Sequence, residues 1–168
     1  MRGSNTWRLF SSGILVMVVF FASVDFRVYQ VHGTYMDVSK LTGNEYEDDS
    51  PQIHDGQVTW RGHDGSDYEI YLYDGSSKTQ LTNNTEHDDY PQIHDGQVAW
   101  QGYDGSDNEI YLYDGSSVTQ LTNNTYHDYA PQIHNGQVTW YGYDGSDYEI
   151  YLYDGSSVTQ LTNNTEHD

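Results

Sequence analysis

Three short acidic runs hold the residues best suited to chemistry: Asp64-Gly65-Ser66-Asp67-Tyr68-Glu69, and the same spacing at Asp104 to Glu109 and Asp144 to Glu149. Calcium takes about six to eight oxygen ligands, and a glycine-bearing loop with alternating carboxylates can offer roughly three or four of them. Asp64, Asp67, Glu69, Asp104, Asp107, Glu109, Asp144, Asp147 and Glu149 are therefore the candidate metal ligands. A simpler account is local: Asp64 makes a turn and Asp67 hydrogen-bonds nearby backbone, as Asp commonly does in tight turns. The spacing is that of neither an EF-hand nor the nine-residue calcium repeat. The expectation is no cofactor, with calcium the one candidate.

Histidines recur in two sets. His54, His94 and His134 adjoin an Asp-Gly or Asn-Gly pair, and His87, His127 and His167 precede Asp88, Asp128 and Asp168. Zinc or nickel would need such ligands to converge from different strands. Spacing alone does not bring them together, so they are expected to be solvent-facing loop residues. The 17 tyrosines are more suggestive, because a ring with one flat apolar face and a hydroxyl suits sugars and protein surfaces alike. Positions that differ between near-identical copies are the candidates for ligand recognition: Arg61, His63, Tyr68, Gln101, Tyr103, Tyr126, Tyr141, Tyr143 and Tyr148. Tyr71, Tyr73 and their copies are expected to pack one unit on the next.

Catalysis is not expected. There is no cysteine, no Gly-x-Ser-x-Gly and no phosphate-binding glycine loop. Each acid occurs in three equivalent copies, whereas acid–base work needs two groups in unlike environments. The balance of 26 Asp and Glu against 6 Lys and Arg gives a formal charge of −20. Such a surface is repelled by phosphate backbones and anionic lipid, which argues against nucleic acid and, beyond an N-terminal signal, against membrane partners.

These residues are positioned by a repeat of forty. Residues 51–90 return as 91–130 and 131–168, and residues 39–50 match the end of one unit. Each unit carries three turn signals, the first being Asp55-Gly56, Asp95-Gly96 or Asn135-Gly136, which suit a two-residue hairpin with φ > 0 at both positions. Asp64 to Asp67 and Asp74 to Ser77 supply the others. Four strands follow, at about Gln52 to His54, Gln57 to Gly62, Glu69 to Tyr73 and Lys78 to Thr82. The expected core of a unit is Ile53, Val58, Trp60, Ile70, Leu72 and Leu81. At roughly 1.5–3 kcal/mol each, these residues cannot offset an ordering cost of about 1.5 kcal/mol per residue. Units must therefore stack, with neighbours on both faces.

The run Leu-Thr, polar loop, Pro, strand, Asp-Gly, strand with a large aromatic, second Asp-Gly, acidic-Ile-Tyr strand resembles the WD-like β-propeller repeat of the TolB-like family over 39–168. The resemblance implies an all-β fold of three four-stranded antiparallel propeller blades plus one extra N-terminal strand, the partial repeat 39–50. That family usually has six or more blades, so three imply an open arc, or half of a six-bladed ring closed by a homodimer. A β-trefoil is the alternative with the same strand count. The resemblance further implies a non-enzymatic scaffold that binds protein; a glycan-binding lectin-like module and a truncated repeat fragment are the alternatives.

Residues 1–24 are read as a secretory signal or uncleaved anchor, with Arg2 and Arg8 ahead of the apolar Gly13 to Ala22. Residues 25–38 are read as a linker. With no cysteine to acylate or cross-link, a secreted or periplasmic destination fits.

Overall fold

The computed structural model describes residues 40–164 and, upstream, the backbone of β1 (Leu15–Val19) and β2 (Arg27–Val31). These two pair antiparallel, from Leu15 opposite Val31 to Val19 opposite Arg27, within a unit of their own that ends at Lys40. β1 falls in the stretch read as an export signal and β2 in the stretch read as a linker; the rest of both lies outside the described residues. Among the described residues, no helix is long and apolar enough to cross a membrane.

From residue 41 onward each repeat builds its own sheet. Blade 1 is β3 (Asp48–His54), β4 (Gln57–His63), β5 (Tyr68–Tyr73) and β6 (Lys78–Gln80). Blade 2 is β7 (Asp88–His94), β8 (Gln97–Tyr103), β9 (Asn108–Tyr113) and β10 (Val118–Gln120). Blade 3 is β11 (Asp128–His134), β12 (Gln137–Tyr143), β13 (Tyr148–Tyr153) and β14 (Val158–Gln160). Every sheet runs in sequence order and is antiparallel throughout. A trefoil would share strands between repeats in a closed barrel, so that alternative is set aside. The extra strand expected ahead of blade 1 would fall at 38–40, by the offset from Lys78–Gln80. Only Lys40 of it is described, and Lys40 lies in no strand.

The hairpin expectation holds: Asp55 and Gly56 have φ of 46° and 79°, and their copies match. The first strand is longer than expected because it runs through a bulge instead of starting after it. The register of β3 on β4 shifts between Asp49 and Gln52, and Ser50 sits there at φ 51°, immediately before Pro51. Proline without an N–H is tolerated where a bulge already interrupts the ladder. Tyr90 and Ala130 hold the same conformation. The fourth strand is shorter than expected; Leu81 and Thr82 leave the sheet but still bind it, the Leu81 N–H on the Ile70 carbonyl and the Ile70 N–H on Thr82 Oγ1.

Blades stack face on face. Ile70 and Leu72 of blade 1 meet Ile93, Val98 and Trp100 of blade 2, with Tyr111 and Tyr113 at the margin. One blade further on, Ala99, Ile110 and Leu112 meet Val138 and Trp140, with Tyr151 and Tyr153 beside them. The tryptophan of each blade stacks on the tyrosine opposite it in the next strand, as Trp100 does on Tyr111 at 5.8 Å and 13°. The expected core needs one correction. Ile53 is 73% exposed whereas Ile93 is 8% exposed, because in unit 41–168 no blade precedes the first. Leu161 is exposed for the mirrored reason: among the described residues no blade packs on that face of the third.

The turn between the third and fourth strands makes a prediction about acid. Asp114 Oδ1 accepts the Ser116 and Ser117 N–H groups, both at 2.8 Å, and these bonds hold its carboxyl down at about 2; the same bonds at Asp154 give about 2. A depressed carboxyl stabilises the fold above its unfolded value near 4, and that contribution fades as pH falls toward 2. A carboxyl-carbon NMR titration should therefore find Asp114 and Asp154 titrating near pH 2; ordinary midpoints would mean the turn does not form.

Candidate functional site

At one end of the arc lie the turns between the second and third strands and the loops that join one blade to the next. In each turn the leading aspartate does what the local account requires. Asp64 Oδ1 accepts the Ser66 N–H at 2.8 Å and the Asp67 N–H at 3.4 Å, and the backbone bond from Ser66 holds its carboxyl below the usual range. Asp67 departs from that account. Its side chain is buried, at 5% exposure, and neither carboxylate oxygen has a hydrogen-bond partner. Glu69, fully buried, accepts the Asn84 N–H at 2.9 Å with Oε1 and leaves Oε2 unpartnered.

One oxygen from each of Asp64, Asp67 and Glu69 lies within 4.8 Å of the others, and the same holds for Asp104, Asp107 and Glu109 and for Asp144, Asp147 and Glu149. All nine candidate ligands are thus gathered into three triads. Burial pushes the Glu69 carboxyl up to about 7, with Asp88 and Asp67 adding repulsion; Glu109 stands at about 7 for the same causes. Asp88 is also buried and its carboxyl raised by that burial, although Trp100 Nε1–H and Asn84 Nδ2–H both donate to it at 2.8 Å. Asp88 and Asp128, noted in the sequence only as neighbours of His87 and His127, tie each connecting loop to the tryptophan of the blade it enters. The aspartate forty residues before, Asp48, bonds Trp60 in the same way at 3.0 Å, and that period was the available signal.

The nine variable positions do not form one surface. Arg61 is an interblade bridge: its Nε–H donates to Asp49 at 2.9 Å, and its guanidinium also pairs with Asp89 of the next blade while lying 4.1 Å over the Tyr68 ring. Gln101, 6% exposed, takes its place one blade on and accepts the Ala130 N–H at 3.0 Å. His63 and Tyr68 pack edge to face. Tyr103 lines a groove of about 500 Å³ with Asn84, Asp88, Trp100 and Asp104. The remaining four, Tyr126, Tyr141, Tyr143 and Tyr148, come together on blade 3. Tyr126 meets Tyr143 at 5.3 Å, and Tyr148 meets both Tyr141 and Tyr143 at 5.5 Å. Tyr129 joins them, 5.6 Å from Tyr141. Positions 49 and 61 are an Asp–Arg pair in blade 1, and their counterparts in blade 3 are this Tyr129–Tyr141 pair. Both halves of the contact have changed together.

The first histidine set is a correction to the loop expectation. His54 and His94 rings lie 4.2 Å apart and His94 and His134 rings 4.3 Å apart, so the three form a ladder where the first strands of successive blades adjoin. His54 Nδ1 accepts the Asp95 N–H and His94 Nδ1 the Asn135 N–H, both at 3.2 Å. The period of forty was legible; that the first strands adjoin was not. His87 and His127 are exposed and cap the turn region, accepting the Tyr68 and Asn108 N–H groups. His167 and Asp168 lie outside the described residues.

Solved structures decide the architecture. The β-propeller domain of the Trilobed protease from Pyrococcus furiosus, described as having an open velcro topology, matches 96% of this chain and 56% of that one, at TM-score 0.60 and 13% identity. The blades are β-propeller blades. The propeller arc is also similar to acylaminoacyl peptidase from Pyrococcus horikoshii, over 95% of this chain and 27% of that one, at TM-score 0.61 and 16% identity. TolB from Acinetobacter baumannii matches over 89% and 41%, at TM-score 0.52 and 18% identity. The arc thus spans from about a quarter to little more than half of these neighbours' length. At these identities the likeness is one of fold, and it agrees with the TolB-like pattern read from the residues. No protein-family profile and no curated protein matches the chain.

Proposed function

We propose that this chain is an exported, non-catalytic propeller module that works by binding protein, its first partner being a second copy of itself. What supports this is the pair of unmatched blade faces. Ile53 and Val58 of blade 1 occupy the positions that in blade 2 are covered by the preceding blade, where Ile93 and Val98 are 8% and 0% exposed. At the other end Leu161 is 56% and Tyr141 41% exposed, on the face that in blades 1 and 2 meets the next blade. A second copy docked head to tail would repeat an interface the molecule already forms twice. Two copies supply six blades, and both open faces would be closed. Exposed apolar faces of this kind otherwise invite uncontrolled association.

The apolar run behind Arg2 and Arg8 and the lack of cysteine support export. A glycan ligand is favoured less. The groove at Asn84 and Trp100 and its copy at Asn124 and Trp140 have the polar lining a sugar uses, but Trp100 and Trp140 are 1% and 2% exposed and present no free indole face for stacking.

Light scattering on the full chain tests the proposal. The expected mass is twice the 19.3 kDa of one chain, persisting on dilution. Because each copy carries −20, added salt should strengthen the dimer, the reverse of its effect on an ion-paired interface. Tyr141→Glu should return the protein to monomer. A folded monomer at every concentration and salt would remove the second-copy reading.

A further inference from the structure

We propose that Asp64, Asp67 and Glu69 form a binding site for a hard divalent cation, calcium being the best fit, and that the matching triads of blades 2 and 3 form two more. This stands independently of the self-association proposed above.

The acidic cluster alone would not carry the assignment; the state of its members does. Asp67 is 5% exposed and neither of its carboxylate oxygens is hydrogen-bonded; Glu69 is 0% exposed with Oε2 unpartnered. A buried carboxylate without a partner is among the costlier features a fold can contain, and native proteins match such groups with donors, counter-charges or metals. Within the turn, the backbone donors that would serve are already committed: the Ser66 and Asp67 N–H groups both point to Asp64 Oδ1. Among the described residues, no lysine, arginine or histidine makes an ion pair with any of the three. The oxygens of Asp64, Asp67 and Glu69 nonetheless converge within 4.8 Å of one another. Two oxygens on opposite sides of one calcium ion, each at about 2.4 Å, stand roughly that far apart.

Blade 2 repeats the arrangement. Asp107 is 4% and Glu109 0% exposed, and Asp107 Oδ1 and Glu109 Oε2 lack partners. Since the copies are near-identical in sequence, this is the same observation made again, not independent support.

The donor set selects the ion. Oxygen ligands without sulfur or nitrogen favour calcium or magnesium over zinc, copper or nickel. Three carboxylates from one six-residue segment form an irregular, adaptable set, which suits calcium's variable coordination better than the strict octahedron of magnesium. Asp64 is exposed, so the site opens to solvent and water can complete the shell. Three dications would also offset six of the twenty net negative charges.

The test uses the full chain, stripped with EDTA and dialysed. Titration with calcium chloride in a calorimeter should show saturable binding of up to three ions per chain. Millimolar calcium should raise Tm by about 5 °C or more, while sodium chloride of equal ionic strength should not. Asp67→Asn should lower the stoichiometry by one. In EDTA the same variant should be no less stable than the parent, because it removes a buried charge; a purely structural aspartate would leave it less stable. Absence of both binding heat and Tm shift at millimolar calcium would overturn the proposal. So would a calcium response that survives undiminished when Asp67, Asp107 and Asp147 are all Asn, since that is diffuse counter-ion screening. Should the triple variant fail to fold, the stoichiometry of Asp67→Asn alone decides.

Discussion

Replacing Trp100 by Ala is expected to destabilise the propeller arc by about 3–5 kcal/mol, the range for deleting a large buried aromatic side chain. Trp100 is 1% exposed and sits where blade 2 meets Ile70 and Leu72 of blade 1. Its loss opens a cavity on the seam between blades and strips Asp88 of the Nε1–H donor at 2.8 Å. Trp100→Phe separates the two effects: it retains much of the packing and removes the bond, at a cost of about 1.5–3 kcal/mol for a hydrogen bond to a charged group. Urea denaturation followed by circular dichroism would read both. Trp60→Ala should cost less, because no blade in unit 41–168 precedes Trp60. Equal losses at positions 60 and 100 would mean that interblade packing is not what stabilises the arc.

The second large effect comes from a residue with no side chain. A Cβ on Gly102 would overlap Asp88 Oδ1 and stand 3.1 Å from the Tyr111 ring. Neither neighbour can yield cheaply: the Asp88 carboxylate is pinned by Trp100 and Asn84, and Tyr111 is stacked on Trp100. Gly102→Ala is therefore expected to cost about 2–4 kcal/mol, from overpacking together with the broken Asp88 bond. Gly105→Ala is the contrast, since nothing lies within 4 Å of a Cβ there and only its φ of 103° resists substitution. Thermal melts of the two variants against the parent give the comparison. A Gly102→Ala protein as stable as the parent would show that the Asp88–Trp100 contact is not the tight lock described.

How much of this was legible can be argued residue by residue. The hairpins were, because Asp55-Gly56 and its copies leave the backbone few alternatives. The strands were, because Ile70 and Leu72 alternate with Tyr71 and Tyr73 and both faces are apolar or aromatic. The first strand, read from Gln52 to His54, in fact runs back through Pro51 at a bulge, and only the pairing of Asp48 and Asp49 across to Gly62 and Arg61 reveals that. The acidic runs were recognised as a group, but burial of Asp67 and Glu69 cannot be read from a loop rich in Gly and Ser. The variable positions, read together as a recognition surface, are spread over different contacts. Arg61 and Gln101 vary because each meets a different neighbour in the following blade, and that is invisible until the blades are stacked.

The seam between blades 1 and 2 and that between blades 2 and 3 are built from equivalent residues, down to the tryptophan and its aspartate. A molecule put together in this way has no means of counting. A further forty-residue copy inserted after residue 90 would find both of its faces already complementary to what lies on either side, and the arc would lengthen by one blade without a new contact having to evolve. Only the ends notice: the tyrosines of blade 3 and the outer face of blade 1 would keep their character however many copies stood between them. Growth or shrinkage of the gene by whole repeats would thus change the curvature still to be closed while leaving the chemistry at the two ends intact.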